Sequence, residues 1–243
     1  MRVVIVYKWA RDPGAAAVRA DGSVDWRGAK MAAGEDDPAA LAAAQRIATA
    51  SGGDLVGLTL GSGDASWALA RGVQTACSVT DAPALADNAA TAAIIAAAVR
   101  RIGDVDVLVI GDAEQDPGVA VAVAGHLRWP ALVAVTSATA EDGQVLATRR
   151  TPEGTATLRL GTPVVVGVAA EADVDRVPGM KELLAARKRP LTTLTLAQVG
   201  ATAGDVESRG SELPPPRATH VFEGAPEQVA GQFIAALRAE GVL

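Results

Sequence analysis

The residues able to do chemistry are few and widely spaced. The chain holds two histidines, His126 and His220, and one cysteine, Cys77. Neither histidine has ligand-type neighbours at metal spacing, and a lone thiol forms neither an internal disulfide nor a thiolate zinc cluster. No His-based metal centre is expected. His126 falls late in a helical stretch with no serine or cysteine nucleophile in an elbow motif. It reads as an ordinary helix position, His220 as a surface residue, and Cys77 as a small apolar side chain at a strand start. The carboxylates are better grouped. Asp36-Asp37 and the run from Asp112 through Glu114 to Asp116 offer acid–base groups, but helix caps and solvated loop charges explain them more simply. No Walker loop is present, and Gly61-Ser62-Gly63 lacks the third glycine and the downstream acid of a dinucleotide fingerprint. What the spacing does offer is anion binding. Segments 8–13, 34–37, 60–64 and 111–118 are available for it; 60–64 and 111–118 offer small residues and free N–H groups at a helix start, and with Asp116 and Gly118 the second helix dipole could hold a phosphate.

Strands and helices must position those segments. Residues 3–7 form a β-branched run, read as a strand buried on both faces. A Gly/Asp/Arg-rich stretch over 11–34 reads as loop with a small hairpin at Asp21-Gly22. Asp37 as N-cap and Pro38 then open a helix through residue 50. Strands follow at 54–60, 76–80 and 105–110, and helices at 65–72, 88–101 (capped by Asp87) and 116–127. This β-α alternation calls for a parallel sheet flanked by helices. After Pro130 the texture changes, with strands at 133–138, 144–149, 155–160 and 164–169. The Asp142-Gly143 and Glu153-Gly154 turns between them are hairpin signals. The expected fold is thus α/β and Rossmann-like: a mostly parallel sheet with an antiparallel edge. A polar-to-basic segment over 176–190 leads to a strand at 191–196. Residues 1–196 are read as the nucleotide-binding-type domain. Residues 197–243 are read as an extended arm through Pro214-Pro215-Pro216, ending in a helix over 226–240. Val229, Phe233, Ile234 and Leu237 share one face of that helix.

Composition narrows the function. The 243 residues include 53 alanines but only two Phe, one Tyr and four Trp, so burial must rest on Val, Leu and Ile. A net charge of −6, from 22 basic and 28 acidic residues, argues against a nucleic-acid partner. The longest uncharged apolar run, 89–99, is far short of the ~20 residues of a membrane helix. No signal peptide is recognisable, so a soluble cytoplasmic protein is expected.

Several segments, in order, resemble one family. These are Tyr7-Lys8 with Asp12-Pro13, the helix start at 37–44, Ala68-Leu69-Ala70-Arg71-Gly72-Val73, 107–115, 180–190 and the Pro226-Glu227 helix with its Glu240-Gly241-Val242-Leu243 end. Together they resemble the β subunit of electron transfer flavoproteins, as a divergent member. The resemblance implies a heterodimer with a larger α subunit that holds most of the electron-carrying FAD. It also implies a β-subunit site for AMP, or for a second FAD in electron-bifurcating relatives. By position, that pocket is lined by Val6, Tyr7, Lys8, Asp36, Asp37, Leu60, Gly111, Asp112, Gln115, Asp116, Gly118 and Val119. Met180, Lys181, Leu183 and Leu184 match the recognition loop that docks partner dehydrogenases, with Met180 as anchor. Arg187, Lys188 and Arg189 match the basic run that follows.

Two departures bear on the cofactor. The family's longer acidic loop and Thr-Gly-Gln helix start are replaced by the shorter run Asp112-Ala113-Glu114-Gln115-Asp116-Pro117-Gly118-Val119-Ala120-Val121, with apolar residues in place of Thr and Gln, and the Asn-Pro-Phe before the first helix by Gly34-Glu35-Asp36. Added carboxylates oppose a phosphate unless a cation intervenes, so AMP binding rests on Gly118 and the helix N-terminus. The expected function is an electron-carrier subunit with no catalytic centre of its own, serving a flavin-dependent dehydrogenase. The alternative is an adenine-nucleotide-binding regulatory module without a redox role. A hydrolase using His126 or Asp116 has least support. Tyr7, Trp9 and Trp26 are the only early rings able to stack on a cofactor, which favours a partner subunit as its holder.

Overall fold

A computed structural model describes residues 1–61, 65–83, 87–112, 116–169, 178–189, 191–204, 206–207, 209–217 and 219–243. In chain order its elements begin with β1 (Arg2–Val6), β2 (Trp9–Arg11), β3 (Ala17–Val18), β4 (Val24–Asp25), β5 (Met31–Ala33), α1 (Asp37–Ser51) and β6 (Asp54–Leu60). Next come α2 (Ser66–Leu69), β7 (Thr75–Val79), α3 (Asn88–Ile102), β8 (Val107–Gly111), α4 (Val119–Leu127), β9 (Ala131–Glu141), β10 (Gln144–Thr151), β11 (Gly154–Leu160) and β12 (Val164–Val168). The chain closes with α5 (Met180–Ala186), β13 (Leu191–Leu194), α6 (Leu196–Val199) and α7 (Pro226–Ala239). Among the described residues, nine strands form one sheet in the order β11-β10-β9-β12-β8-β1-β6-β7-β13.

The sheet is parallel from β9 through β12, β8, β1, β6 and β7 to β13, and antiparallel only at β9-β10 and β10-β11. The Rossmann-like expectation and its antiparallel edge therefore hold. One feature was not read from sequence: β12 returns inside the hairpin strands, between β9 and β8. Its five residues are all buried valines and glycine, a run that suits only a strand covered on both faces.

Alternation along the strands builds two cores. Val3, Ile5 and Tyr7 face one side with Leu55, Val107, Val109 and the inner residues of α1. Val4, Val6, Leu108 and Ile110 face the other, against α3 and α4. Alanines dominate the buried face of α1 and make up half of that of α3, so the helices sit close to the sheet while the strand Val, Leu and Ile side chains contribute roughly 1.5–3 kcal/mol each. Cys77 lies in the second core as expected, and burial pushes its thiol up.

Several boundaries differ from the sequence reading. The helix expected at 65–72 stops at Leu69, because Gly72 turns the chain at φ +93. The helix expected from 116 begins at Val119, after Gly118 at φ +80. The strand expected through 196 ends at Leu194, where Thr195 and Gln198 form a capping box that starts α6. Asp37 does not cap its own helix: Asp36 stands at that position and makes no side-chain cap bond.

The described residues divide into two compact units, 1–17 with 24–209, and 18–23 with 210–243. The first contains the whole large sheet. In the second, the Asp21-Gly22 turn forms as expected: Gly22 sits at φ +81, and Asp21 Oδ1 accepts from the Ser23 N–H at 2.9 Å and its hydroxyl at 2.6 Å. Ser211 donates to the Gly22 carbonyl at 2.9 Å. Helix α7 buries none of its residues, and Phe233 meets Phe222 edge-on at 6.1 Å.

Candidate functional site

From β1 the chain moves outward through β6 and β7, then returns to lay β8 on the other side of β1. The carboxyl ends of β1 and β8 therefore flank the point where strand order reverses, the usual ligand crevice of an open α/β sheet. Lys8 follows β1, Asp112 follows β8, and α1 begins beside them.

Asp37 organises this crevice. Its Oδ2 accepts the backbone N–H of Lys8 at 2.8 Å and of Gly34 at 2.7 Å. Those two residues bracket the excursion 9–33, so one carboxylate closes its neck. Asp36 and Asp37 are each only 6% exposed. Burial pushes the Asp37 carboxyl up to about 7, against the two backbone N–H bonds and Lys8, which pull it down, while Asp36 adds to the rise. Gly111 lies under this corner, where a Cβ would stand 2.9 Å from Asp36 Cβ.

The other expected pocket residues are placed as follows. Lys8 Nζ reaches across to Asp116 Oδ2 at 2.7 Å, a largely solvated pair that contributes little stability. Asp112 bonds to β9, two strands away across β12, where its Oδ2 accepts the Ala134 N–H at 2.9 Å. Gly118 is open to solvent at the head of α4, and Asn88 Nδ2 donates to the carbonyl of Pro117 at 2.9 Å. Val6 and Val119 belong to the core below, with Leu60 partly buried against it. Gln115 lies outside the described residues, as do residues 62–64 and 113–114.

Tyr7 is at the crevice only through its backbone. Its ring is 1% exposed and packs 5.2 Å from Trp67, in the room left by Gly57. The Arg71 guanidinium lies over the Trp67 ring at 4.8 Å. Tyr7 is thus a core ring and not a stacking surface, while Trp9 packs against the same core and Trp26 is exposed. His126 is exposed in the last turn of α4, and its described contact is through its carbonyl, to Arg100. Among the described residues no group of His, Cys, Asp or Glu could hold a metal ion, and no helix is long and apolar enough to cross a membrane.

A nucleotide phosphate fits this crevice poorly. Asp36, Asp37, Asp112 and Asp116 are its described acidic residues, and Lys8 is bound to Asp116. Among the described residues, the Gly118 end of α4 is where helix N–H groups without a carboxylate partner remain. The signals that sequence reasoning missed were tertiary. Ala134, left-handed at φ +56 on β9, satisfies Asp112 from 22 residues away, and nothing local marks it.

The expected docking segment lies elsewhere, on α5, which packs against α2. Met180 is 72% exposed and Leu184 52%, one helical turn apart on one face. Leu183 is half-buried and Lys181 exposed.

The electron transfer flavoprotein domain model matches residues 25–199, which include α1, the β8 flank of the crevice and α5. Proteins named electron transfer flavoprotein subunit beta from Mycobacterium tuberculosis and Mycobacterium bovis are 35% identical over 103 residues, covering 41% of this chain and 39% of theirs. The Mycobacterium leprae protein of that name is 34% identical over the same length. The chain thus matches about two fifths of the length of these curated relatives. A match over most of the described sheet, with relatives of one name, decides the family: the chain belongs to the electron transfer flavoproteins, as a member of the β-subunit family.

Proposed function

We propose that this chain is the β subunit of a heterodimeric electron transfer flavoprotein, which takes electrons from a flavin-dependent dehydrogenase and passes them to a downstream acceptor. The observation that carries this reading is a switch-point crevice with no reaction centre among its described residues, in a chain of this family. The crevice groups are engaged in holding the chain: Asp37 binds two backbone N–H groups, Asp112 binds one, and Lys8 binds Asp116. None is poised as a nucleophile with a base beside it. The subunit is an electron carrier and not a stand-alone enzyme.

In this reading FAD is held mainly by a larger α subunit, and this chain supplies one wall of its cleft. The flavin supplies the redox chemistry when bound; the chain's own residues fix the cleft wall and exclude water. The burial of Tyr7 and Trp67 against one another supports a cofactor held by the partner, since neither ring is free to stack. AMP is not assigned to the β-subunit crevice, because its carboxylates oppose a phosphate. The apolar face of α7, with Phe233 and Ile234 exposed and Val229 and Leu237 half-buried, suits burial on the α subunit.

Co-expression with an α-type subunit tests the assignment. A yellow complex with a flavin spectrum and one copy of each chain is the expected product. A flavin-free homodimer releasing AMP or ATP on denaturation would instead favour a nucleotide-binding regulatory module. The docking segment has its own test. Met180→Ala should lower the rate of electron transfer from the partner dehydrogenase about tenfold, the cost of truncating an interface anchor, with flavin content unchanged. Loss of flavin in that variant would make 180–184 a structural segment.

A further inference from the structure

Helix α5 is too short to hold itself in place. Its seven residues bury only Ala186, and isolated helices below ~12 residues are marginal in water. At its start, Glu182 Oε2 accepts the Gly179 N–H at 2.9 Å. Just past its end stands Arg189. Its Nη1 donates to the Leu69 carbonyl at 3.2 Å and its Nη2 to the Gln74 carbonyl at 2.8 Å.

Both acceptors belong to a rigid corner. Leu69 ends α2, all four of whose residues are buried, and Gln74 leads into β7. The corner is tied down from two sides: Gln45 donates to the Arg71 carbonyl, and Gln74 Oε1 accepts the Leu55 N–H at 2.7 Å. Within it, Trp67 contacts both Tyr7 and Arg71. A planar guanidinium can span two carbonyls at once, whereas an ammonium is a single point of attachment.

We propose that Arg189 is the positioning residue of the docking helix: its fork on the Leu69 and Gln74 carbonyls fixes α5 against α2 and so sets how Met180 and Leu184 are presented. The role in docking rests on the reading of α5 given above; the anchoring itself does not. It also gives the last arginine of the 187–189 run a task distinct from a solvated helix end.

Hydrogen exchange on the full-length chain, read by mass spectrometry, tests the anchoring without any partner. Losing two charge-assisted bonds shifts a local opening equilibrium about 10- to 100-fold. Arg189→Gln should therefore speed amide exchange over 180–189 by that factor while β1, β6 and β8 exchange as before. Arg189→Lys, which keeps one attachment, should fall between the two. Unchanged exchange at 180–189 would overturn the proposal. So would equal acceleration across the sheet, which would make Arg189 a general stabiliser. The docking reading is decided separately by Met180→Ala, so either can fail while the other stands.

Discussion

Gly111→Val is expected to lower the melting temperature by roughly 6–12 °C, the equivalent of about 3 kcal/mol for a chain of this size. Gly111 ends β8 directly beneath the start of α1. A Cβ there would stand 2.9 Å from Asp36 Cβ, 3.3 Å from the Asp36 carbonyl carbon and 3.4 Å from Asp37 Oδ1. The first of these is closer than real side chains approach, and the neighbours are not the loose ends of flexible chains. Valine adds two methyl groups to that contact, so the head of α1 must move outward. That movement pulls Asp37 from the N–H groups of Lys8 and Gly34 and opens the neck of the 9–33 excursion. Gly111→Ala should show the same effect at about half the size. Thermal melts followed by circular dichroism check both. A valine variant melting with the parent protein would mean that α1 yields without cost, and that the crevice corner is not rigid.

Asp37 should make stability depend on pH in the sense opposite to most carboxylates. Its carboxyl is raised to about 7 in the folded chain from an ordinary 3.8, chiefly by burial. The folded state therefore keeps a proton that the unfolded state has already released. This contribution is fully present below about pH 4 and is lost as pH rises through about 7. A shift of this size corresponds to about 4 kcal/mol. Asp37→Asn keeps an acceptor oxygen for the two N–H groups and cannot ionise. The stability of the Asn variant relative to the parent should thus rise by about 4 kcal/mol between pH 4 and pH 8, as measured by urea unfolding. Comparing the two chains at each pH cancels the titration of the other carboxylates. A constant difference across that range would show that the two N–H bonds fully offset the desolvation of the charge.

Much of this architecture is legible in the residues themselves. Hydrophobic periodicity depends on near neighbours, so β6 was placed at 54–60 and α3, with its Asp87 cap, to within a residue. The hairpin strands β10 and β11 followed from turn chemistry, since Asp142 at φ +50 and Gly143 at φ +74 adopt the left-handed conformations such turns require. The family, too, was readable from the order of short segments. Helix lengths were less so. Gly72 marks a turn, but nothing in 65–72 says that α2 stops already at Leu69, where the corner is held by Gln45 and Arg189 from distant elements.

The candidate site divides along the same line. That Asp36 and Asp37 open α1, Asp112 follows β8 and Asp116 precedes α4 was determined by local sequence. What each carboxylate does was decided by the fold, because hydrogen bonds are satisfied by whatever the topology brings within 3 Å. Asp37 closes a loop neck instead of capping its helix, Asp112 holds a left-handed residue on β9, and Asp116 holds Lys8. The scarcity of aromatic residues was evident from composition alone and pointed to a partner subunit. Only the tertiary structure turned Tyr7 inward against Trp67, since which face of β1 a residue occupies depends on register with its neighbours and on the space that Gly57 leaves free.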